Sequence, residues 1–463
     1  MMTLQQALGW IGSGVLVGNA GVLVQRVHTD TRTLREGDLF VALKGERFDA
    51  NEFLTDAKKQ GALAAIAHGK LADAGLEGIE VTDSRLALGR LAAGWRSQFD
   101  LPLIAVTGSN GKTTVTQMIA SILRAWKQGD AFSTEGNLNN DIGVPLTLLR
   151  LKQHHTAGVV ELGMNHPGEI SYLADIARPT VALVNNAQRE HLEFMATVEA
   201  VAAENGSVIT ALDASGVAVF PADDTYTSLW KSLAGSRKIL TFSEAGPADV
   251  TGTANWSGIS WQVQARTPSG PVAFALQIAG RHNVKNALAA TACALAAGVP
   301  LASIAAGLTA FEPVKGRSRA ALVTLGTKTI NLVDDTYNAN PDSMRAAIDV
   351  LAELPRPRLL VMGDMGEVGN QGPEFHQEAG RYARERGIDK LFALGEQSAL
   401  ASSSFGPGCH FPDIDSLNQA VLAELAGLGS VLVKGSRFMK MERAVQAITS
   451  HTQQHPEGER HAA

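Results

Sequence analysis

The residues best suited to chemistry stand together as Thr107-Gly108-Ser109-Asn110-Gly111-Lys112-Thr113-Thr114. They follow the apolar run LPLIAV and lead into an apolar-periodic stretch. A buried strand, a glycine-rich turn and a helix start are therefore expected in succession. That context suits a phosphate. Glycines let the backbone turn tightly and aim N–H groups at anionic oxygens. The helix N-terminus adds partial positive charge. Lys112 can reach the β- and γ-phosphates of a nucleotide, and the Thr113 hydroxyl can ligate Mg²⁺. The longer pattern GxxxxGK[ST] asks for glycine at 106, where the chain has Val106, so the loop is the shorter GxxGKTT. Glu161 closes the strand-like VVELG, and a carboxylate at a strand end beside a phosphate loop suits a Mg²⁺ ligand. His191 follows TVALVNNA and is either a metal ligand or an ordinary loop histidine.

Three segments must position these groups. Residues 1–83 read as a small α/β unit: GDLFVALKG alternates, the polar turn ERFD follows, and FLTDAKKQGALAAIA reads as a helix running into a strand. Residues 84–313 begin with a helix and contain the phosphate loop. Buried-strand candidates follow at AGVVELG, TVALVNNA, GVAVFP and KILTFS, which argues for a central, mostly parallel sheet of the P-loop type. Residues 314–463 open with a hairpin-like pair, AALVTLG and KTINLVDD. RLLVMGD, DKLFALG and SVLVKGS then alternate with helices, as in a Rossmann-like doubly wound sheet. Ligands of such sheets lie beyond the carboxyl ends of the strands, where VDDTYN, GDM and KGSR fall.

Composition agrees with a folded α/β chain. At about 150 residues per domain, 463 residues correspond to three domains. Hydrophobic residues at 45% and charged residues at 19% exclude a wholly disordered chain and a coiled coil. A net charge of −6 argues against a duplex nucleic-acid binder. Cys293 and Cys409 are too far apart in sequence to suggest a metal site or a disulfide framework, and reduced thiols in the cytoplasm are expected. No basic n-region of a secretory signal is visible. Ala287–Phe311 carries no charge, but Gly298 and Pro300 interrupt it, so two packed helices are expected and no membrane span. The polar stretch 452–463 is expected to fray.

Beyond the phosphate loop, GRHNVKNALAA (280–290) completes a pattern that resembles the Mur ligases of peptidoglycan synthesis. GDLFVALKGERFDAN, GNLNNDIGVPLTLL, ELGMNHPGEI, DDTYNANPDSM, GDMGEVG and KGSR occur in that family's order over nearly the whole chain. They point to its dipeptide-adding branch. The resemblance implies a three-domain ligase that uses ATP and Mg²⁺. It would join D-Ala-D-Ala to UDP-MurNAc-tripeptide through an acyl phosphate, as a monomer. It also implies residue roles. Thr107 to Thr114 would cradle the nucleotide phosphates. Lys112 and Mg²⁺ on Thr113 and Glu161 would neutralise the transferring phosphoryl group, and His191 would ligate a second Mg²⁺. His282, Asn283 and Asn286 would lie at the adenine; after domain closure Arg317 would meet the nucleotide and Asp335 the ribose or the attacking side. Asp30, Thr31, Arg32, Lys44 and Gly45 would hold the uridine diphosphate. Asn137, Asn139 and Asn140 would line the peptide path. Asn338, Asn340, Ser436 and Arg437 would meet peptide carboxylates.

The chain also departs from that pattern. Many Mur ligases carry an AKGE-like segment whose lysine is carbamylated and ligates the second Mg²⁺. Here it reads Ala203-Glu204-Asn205-Gly206-Ser207, so no carbamate can form at Asn205, and Glu204 becomes a candidate substitute. Asn51 replaces a usual histidine and Pro221 a frequent asparagine. Two other readings follow from the same residues: a sister ligase adding a single amino acid, against which TYNANPDSM argues, and a non-catalytic nucleotide-binding relative, against which Lys112, Thr113, Glu161 and His191 argue.

Overall fold

The computed structural model describes residues 1–45, 48–257 and 260–454. Glu46 and Arg47 of the expected ERFD turn lie outside them, as does most of the polar stretch at 452–463. Residues 1–83 carry strands β1 (Met2–Thr3), β2 (Val15–Val17), β3 (Leu23–Val24), β4 (Arg26–His28), β5 (Asp38–Val41), β6 (Ala62–Ala67) and β7 (Glu77–Glu80). Five form a sheet in the order β2-β7-β6-β5-β4, antiparallel only at β2, while β1 pairs with β3. The alternation expected in GDLFVALKG is absent, because β5 is buried at every position. Leu39 and Val41 enter one core and Phe40 another, as expected of a parallel strand covered on both faces.

The next sheet has nine strands: β8 (Leu103–Thr107), β9 (Ala131–Ser133), β10 (Ala157–Glu161), β11 (Val181–Val184), β12 (Val217–Pro221), β13 (Lys238–Ser243), β14 (Val250–Trp256), β15 (Trp261–Thr267) and β16 (Gly270–Leu276). Their order is β16-β15-β14-β13-β12-β11-β8-β10-β9. The parallel strands β8 and β10–β13 were legible in the sequence; the short parallel edge strand β9 and the meander β14–β16, antiparallel within itself, were not. Strand β8 lies between β10 and β11, with Glu161 beside Val106 and Val184 beside Thr107. The phosphate loop leaving β8 is therefore flanked by Glu161 on one side and by the 185–191 loop on the other.

The last sheet comprises β17 (Arg319–Leu325), β18 (Lys328–Asp335), β19 (Arg358–Gly363), β20 (Lys390–Leu394), β21 (Cys409–Phe411) and β22 (Ser430–Lys434), in the order β17-β18-β22-β19-β20-β21. Only β17 is antiparallel to its neighbour. The carboxyl ends of β18, β22 and β19 are adjacent, so the segments after Asp335, Lys434 and Gly363 converge.

The uncharged stretch 287–311 folds as helices His282–Ala296 and Leu301–Thr309, separated at Gly298 (φ +81°) and Pro300. No helix among the described residues is long and apolar enough to cross a membrane. Helix 301–309 lies directly on the helix that starts at the phosphate loop, Lys112–Lys127. A Cβ at Gly307 would stand 2.3 Å from Ile122 Cα, and Ser121 Oγ donates to Gly307 O at 2.7 Å. Overpacking this crossing should be felt: Gly307→Ala is expected to lower stability by about 1–3 kcal/mol in denaturant unfolding. Gly129→Ala, where an added Cβ meets nothing within 4 Å, should stay near neutral. Equal effects of the two would refute the close crossing.

Candidate active site

The phosphate loop turns through Gly108 (φ +131°) and Gly111 (φ +81°), conformations that a Cβ would strain. Space is as restrictive at Gly111: a Cβ there would lie 2.7 Å from Asn286 Oδ1. The loop is held from beneath by Asn205, buried on helix Val198–Thr210. Its Oδ1 accepts from Thr107 Oγ1 at 2.5 Å and from the Gly108 N–H at 3.0 Å. Asn186 Oδ1 accepts from the Asn110 N–H at 2.8 Å, and Asn185 donates to Asn110 O and to Asn286 Oδ1. Lys112 Nζ donates to Gly108 O, Ser109 O and, at 2.7 Å, Glu190 Oε1. Thr113 Oγ1 donates to Glu161 Oε1 at 3.2 Å, and Asn139 donates to the same oxygen at 2.7 Å. Glu161 and Thr113 thus present hard oxygen donors side by side, the set that Mg²⁺ prefers.

The third segment reaches across this loop. Arg317 Nη2 donates to Thr113 Oγ1 at 3.0 Å, and its guanidinium lies 3.9 Å from the centre of the Tyr337 ring. Gly316 and Ser318 on either side donate their N–H groups to Asp334 and Asp335, which fixes the arginine's backbone. Asp335 also meets Lys434 Nζ at 2.6 Å. Burial lifts the Asp335 pKa, but Lys434 and the Ser318 N–H more than reverse this and hold it below the usual carboxylate range. Asn340 caps helix Pro341–Ala352 and donates to Asn110 Oδ1 at 2.9 Å. Arg189 grips Asp342 and Glu378 with its guanidinium and Asp342 again with its N–H.

His191, in the left-handed region at φ +49°, has Glu190 Oε1 3.5 Å from Nε2 and Glu367 Oε2 2.8 Å from Nδ1. Burial pulls its pKa down, but the two carboxylates outweigh that and raise it to about 9. Most of these residues line a cleft of about 610 Å³ between the two larger sheets, a size suited to a small-molecule ligand.

Most residues singled out in the sequence line this cleft: Ser109 to Thr114, Asn137, Asn139, Asn140, Glu161, His191, His282, Asn283, Asn286, Arg317, Asp335, Asn338, Asn340 and Arg437. Thr107 and Gly108 lie under the loop. Ser436 does not line the cleft: it is buried, with its N–H on Asp364 O and its hydroxyl on Ala339 O. Glu204 is engaged elsewhere, accepting from the Gly168 and Ile170 N–H groups at the start of helix Glu169–Ala177, so it is no substitute cation ligand. Asp30, Thr31, Arg32, Lys44 and Gly45 belong to the first sheet and are not cleft residues. Asp30 instead caps the turn Thr31–Thr33 and pairs with Arg32. Asn51 is buried and bonded to the 68–69 backbone. Sequence reasoning missed Arg189, Glu190, Tyr337, Glu367 and Lys434; they lie inside motifs already quoted or directly beside His191.

A phosphate loop on a parallel sheet, closed over by a second α/β sheet that contributes an arginine, defines a nucleotide-dependent phosphoryl-transfer enzyme. Models of three domain types match the chain in order: the Mur ligase family catalytic domain at residues 23–96, the Mur ligase middle domain at 106–294 and the Mur ligase glutamate ligase domain at 318–437. The chain is 43% identical to UDP-N-acetylmuramoyl-tripeptide–D-alanyl-D-alanine ligase of Escherichia coli, over 96% of this chain and 98% of that protein. It is 36% identical, at a TM-score of 0.85, to UDP-N-acetylmuramoylalanyl-D-glutamyl-2,6-diaminopimelate–D-alanyl-D-alanyl ligase of Acinetobacter baumannii, over 97% and 98% of the two chains. It is 27% identical, at a TM-score of 0.82, to MurF ligase of Thermotoga maritima in complex with ADP, over 94% and 99%. The chain belongs to the Mur ligase family.

The His191–Glu367 contact joins the two larger sheets and depends on a charged imidazole. Its contribution is full below about pH 6.5 and is lost as pH rises through about 9. The melting temperature of the ligand-free enzyme should therefore exceed that of Glu367→Gln at pH 6, and the gap should close above pH 9. A gap that widens with pH would refute this pairing.

Proposed function

We propose that this enzyme joins D-alanyl-D-alanine to UDP-N-acetylmuramoyl-tripeptide, converting ATP to ADP and phosphate and yielding UDP-N-acetylmuramoyl-pentapeptide for peptidoglycan. The observation that carries this reading is the cleft itself. It combines a phosphate loop and an arginine delivered from a second domain in one cleft of about 610 Å³. The near full-length match to ligases of that name supports the same conclusion. With a diaminopimelate-type relative at 36% identity, the third peptide residue is taken to be diaminopimelate. Segments 1–83, 84–313 and 314–463 serve as the UDP-sugar, ATP and dipeptide domains. The substrates imply a cytoplasmic enzyme, and one chain provides the whole cleft.

In the first step a terminal carboxylate oxygen of the tripeptide attacks the γ-phosphorus of ATP, forming an acyl phosphate and releasing ADP. The dipeptide amine then attacks the acyl carbon, and the tetrahedral intermediate expels phosphate. Both steps bring anions together, so positioning and charge neutralisation dominate. Lys112 leaves its loop acceptors for the β- and γ-phosphates. Arg317, stacked on Tyr337, neutralises the transferring phosphoryl group. Asn283, Asn286 and His282 sit at the adenine end, where side-chain amides can both donate and accept. Arg437 and the Asn338–Asn340 segment face the dipeptide carboxylate, with Lys434 aligned by Asp335. Asn137, Asn139 and Asn140 line the peptide path, and Asp30 to Arg32 with Lys44 and Gly45 take the uridine diphosphate. Mg²⁺, held by Thr113 and Glu161 with a second ion at His191, supplies electrostatic neutralisation of the phosphates when bound. The contacts of Arg317, Asn340 and Arg189 across the cleft exclude water from an acyl phosphate that would otherwise hydrolyse.

Phosphate release by the purified protein should require ATP, UDP-N-acetylmuramoyl-tripeptide and D-alanyl-D-alanine together, with free D-alanine a poor replacement. Lys112→Ala should cut the rate by about 10²–10³-fold. Because Asn205 cannot be carbamylated, added bicarbonate should leave the rate unchanged. Release without the dipeptide, or a clear rise with bicarbonate, would contradict the reading.

A further inference from the structure

The fate of Glu190 during turnover points to a role that no motif assigns to it. Glu190 is 9% exposed and lines the cleft. Its backbone is pinned by Arg189, whose N–H and guanidinium are held by Asp342 and Glu378. Oε1 is shared between Lys112 Nζ at 2.7 Å and the neighbourhood of His191 Nε2 at 3.5 Å. Oε2 is buried and has no hydrogen-bond partner among the described residues. Lys112 is the close cationic partner of this carboxylate, and the same ammonium is the group that would reach nucleotide phosphates. Once Lys112 turns to the phosphates, this buried carboxylate is left to the His191 ring 3.5 Å away, and a His191 that ligates a cation through its neutral imidazole no longer carries the charge that offsets it. A positive charge has to take its place. The neutral imidazole of His191, a carboxylate oxygen and phosphate oxygens form the donor set that a partly hydrated Mg²⁺ accepts.

Other sources of negative charge near His191 are engaged or absent. Asn205, at the position where many Mur ligases carry the carbamylated lysine, is neutral and is committed to Thr107 and Gly108. Glu204 is committed to the start of helix Glu169–Ala177. Glu367 approaches His191 at Nδ1, the other ring nitrogen from the one facing Glu190, and its side chain is half exposed. We propose that Glu190, with His191, is a protein ligand of the second divalent cation, supplying the anionic oxygen that a lysine carbamate supplies elsewhere in the family. This assignment rests on the two-cation reading above.

The test is a Mn²⁺ titration of the full-length enzyme with a non-hydrolysable ATP analogue, read by electron paramagnetic resonance of the free ion. Turnover is not needed, so failure here is distinguishable from failure of the ligase reading. Wild type should bind two Mn²⁺ per chain. Glu190→Gln keeps the shape and a hydrogen-bond acceptor for Lys112. It should weaken the second ion at least tenfold, leaving the first ion and the analogue's affinity within about threefold. Glu190→Asp should retain the second ion more tightly than Glu190→Gln, and melting curves of both variants exclude unfolding as the cause. Bicarbonate should restore nothing. Two ions at unchanged affinity in Glu190→Gln, or a single ion in wild type, would overturn the proposal. Weakened analogue binding with both ions kept would reduce Glu190 to a partner of Lys112, which also overturns it.

Discussion

The Thr113 hydroxyl touches both walls of the cleft, donating to Glu161 and accepting from Arg317. Much of the remaining architecture serves to bring those partners to it. Glu161 is there because β10 lies beside β8 in parallel register, which sets a strand-end carboxylate against the phosphate loop. Arg317 is there because Asp334 and Asp335 at the end of β18 hold the backbone on both sides of it. A hydroxyl bonded to an acid and a guanidinium is well placed to exchange both for a phosphate and its cation.

The cleft is also electrostatically self-consistent. Lys112 rests on Glu190, the His191 imidazolium lies between Glu190 and Glu367, and Lys434 rests on Asp335. Lys112, His191 and Lys434 each have an anion to hold them, and Arg317 is held by the Thr113 hydroxyl and the Tyr337 ring, which keeps these side chains near their working positions and lowers the entropy cost of ordering them. The same pairing explains why buried charges are tolerated here. Substrate binding exchanges partners instead of stripping charges bare.

Legibility in the sequence followed the strength of local constraint. The phosphate loop was readable because glycines, a lysine and two threonines between strand and helix leave few alternatives. The strands of the parallel core were readable as unbroken apolar runs. The meander β14–β16 was not. Gly252, Thr253 and Asn255 break the apolar signal of β14. Strand β15 does alternate, with Trp261, Val263 and Ala265 buried between exposed polar residues, and was overlooked because its signal is alternation and not an apolar run. Glu190, Lys434 and Tyr337 looked like ordinary polar or aromatic loop and strand-end residues, and only tertiary contacts give them partners. Ser436 shows the reverse: its residue type suggested a ligand contact, but its hydroxyl is committed to the backbone of its own domain. Glu204, chosen because it precedes Asn205, points to a helix start, since neighbouring residues on one helix face different directions.

The central claim is that the carboxylate of the tripeptide is activated by phosphorylation within this cleft. It is tested most directly with tripeptide substrate labelled with ¹⁸O in its terminal carboxylate, by mass analysis of the phosphate released during ligation. The account predicts one ¹⁸O atom in each phosphate, because the bridging oxygen of the acyl phosphate leaves with phosphorus. Phosphate free of label would contradict it.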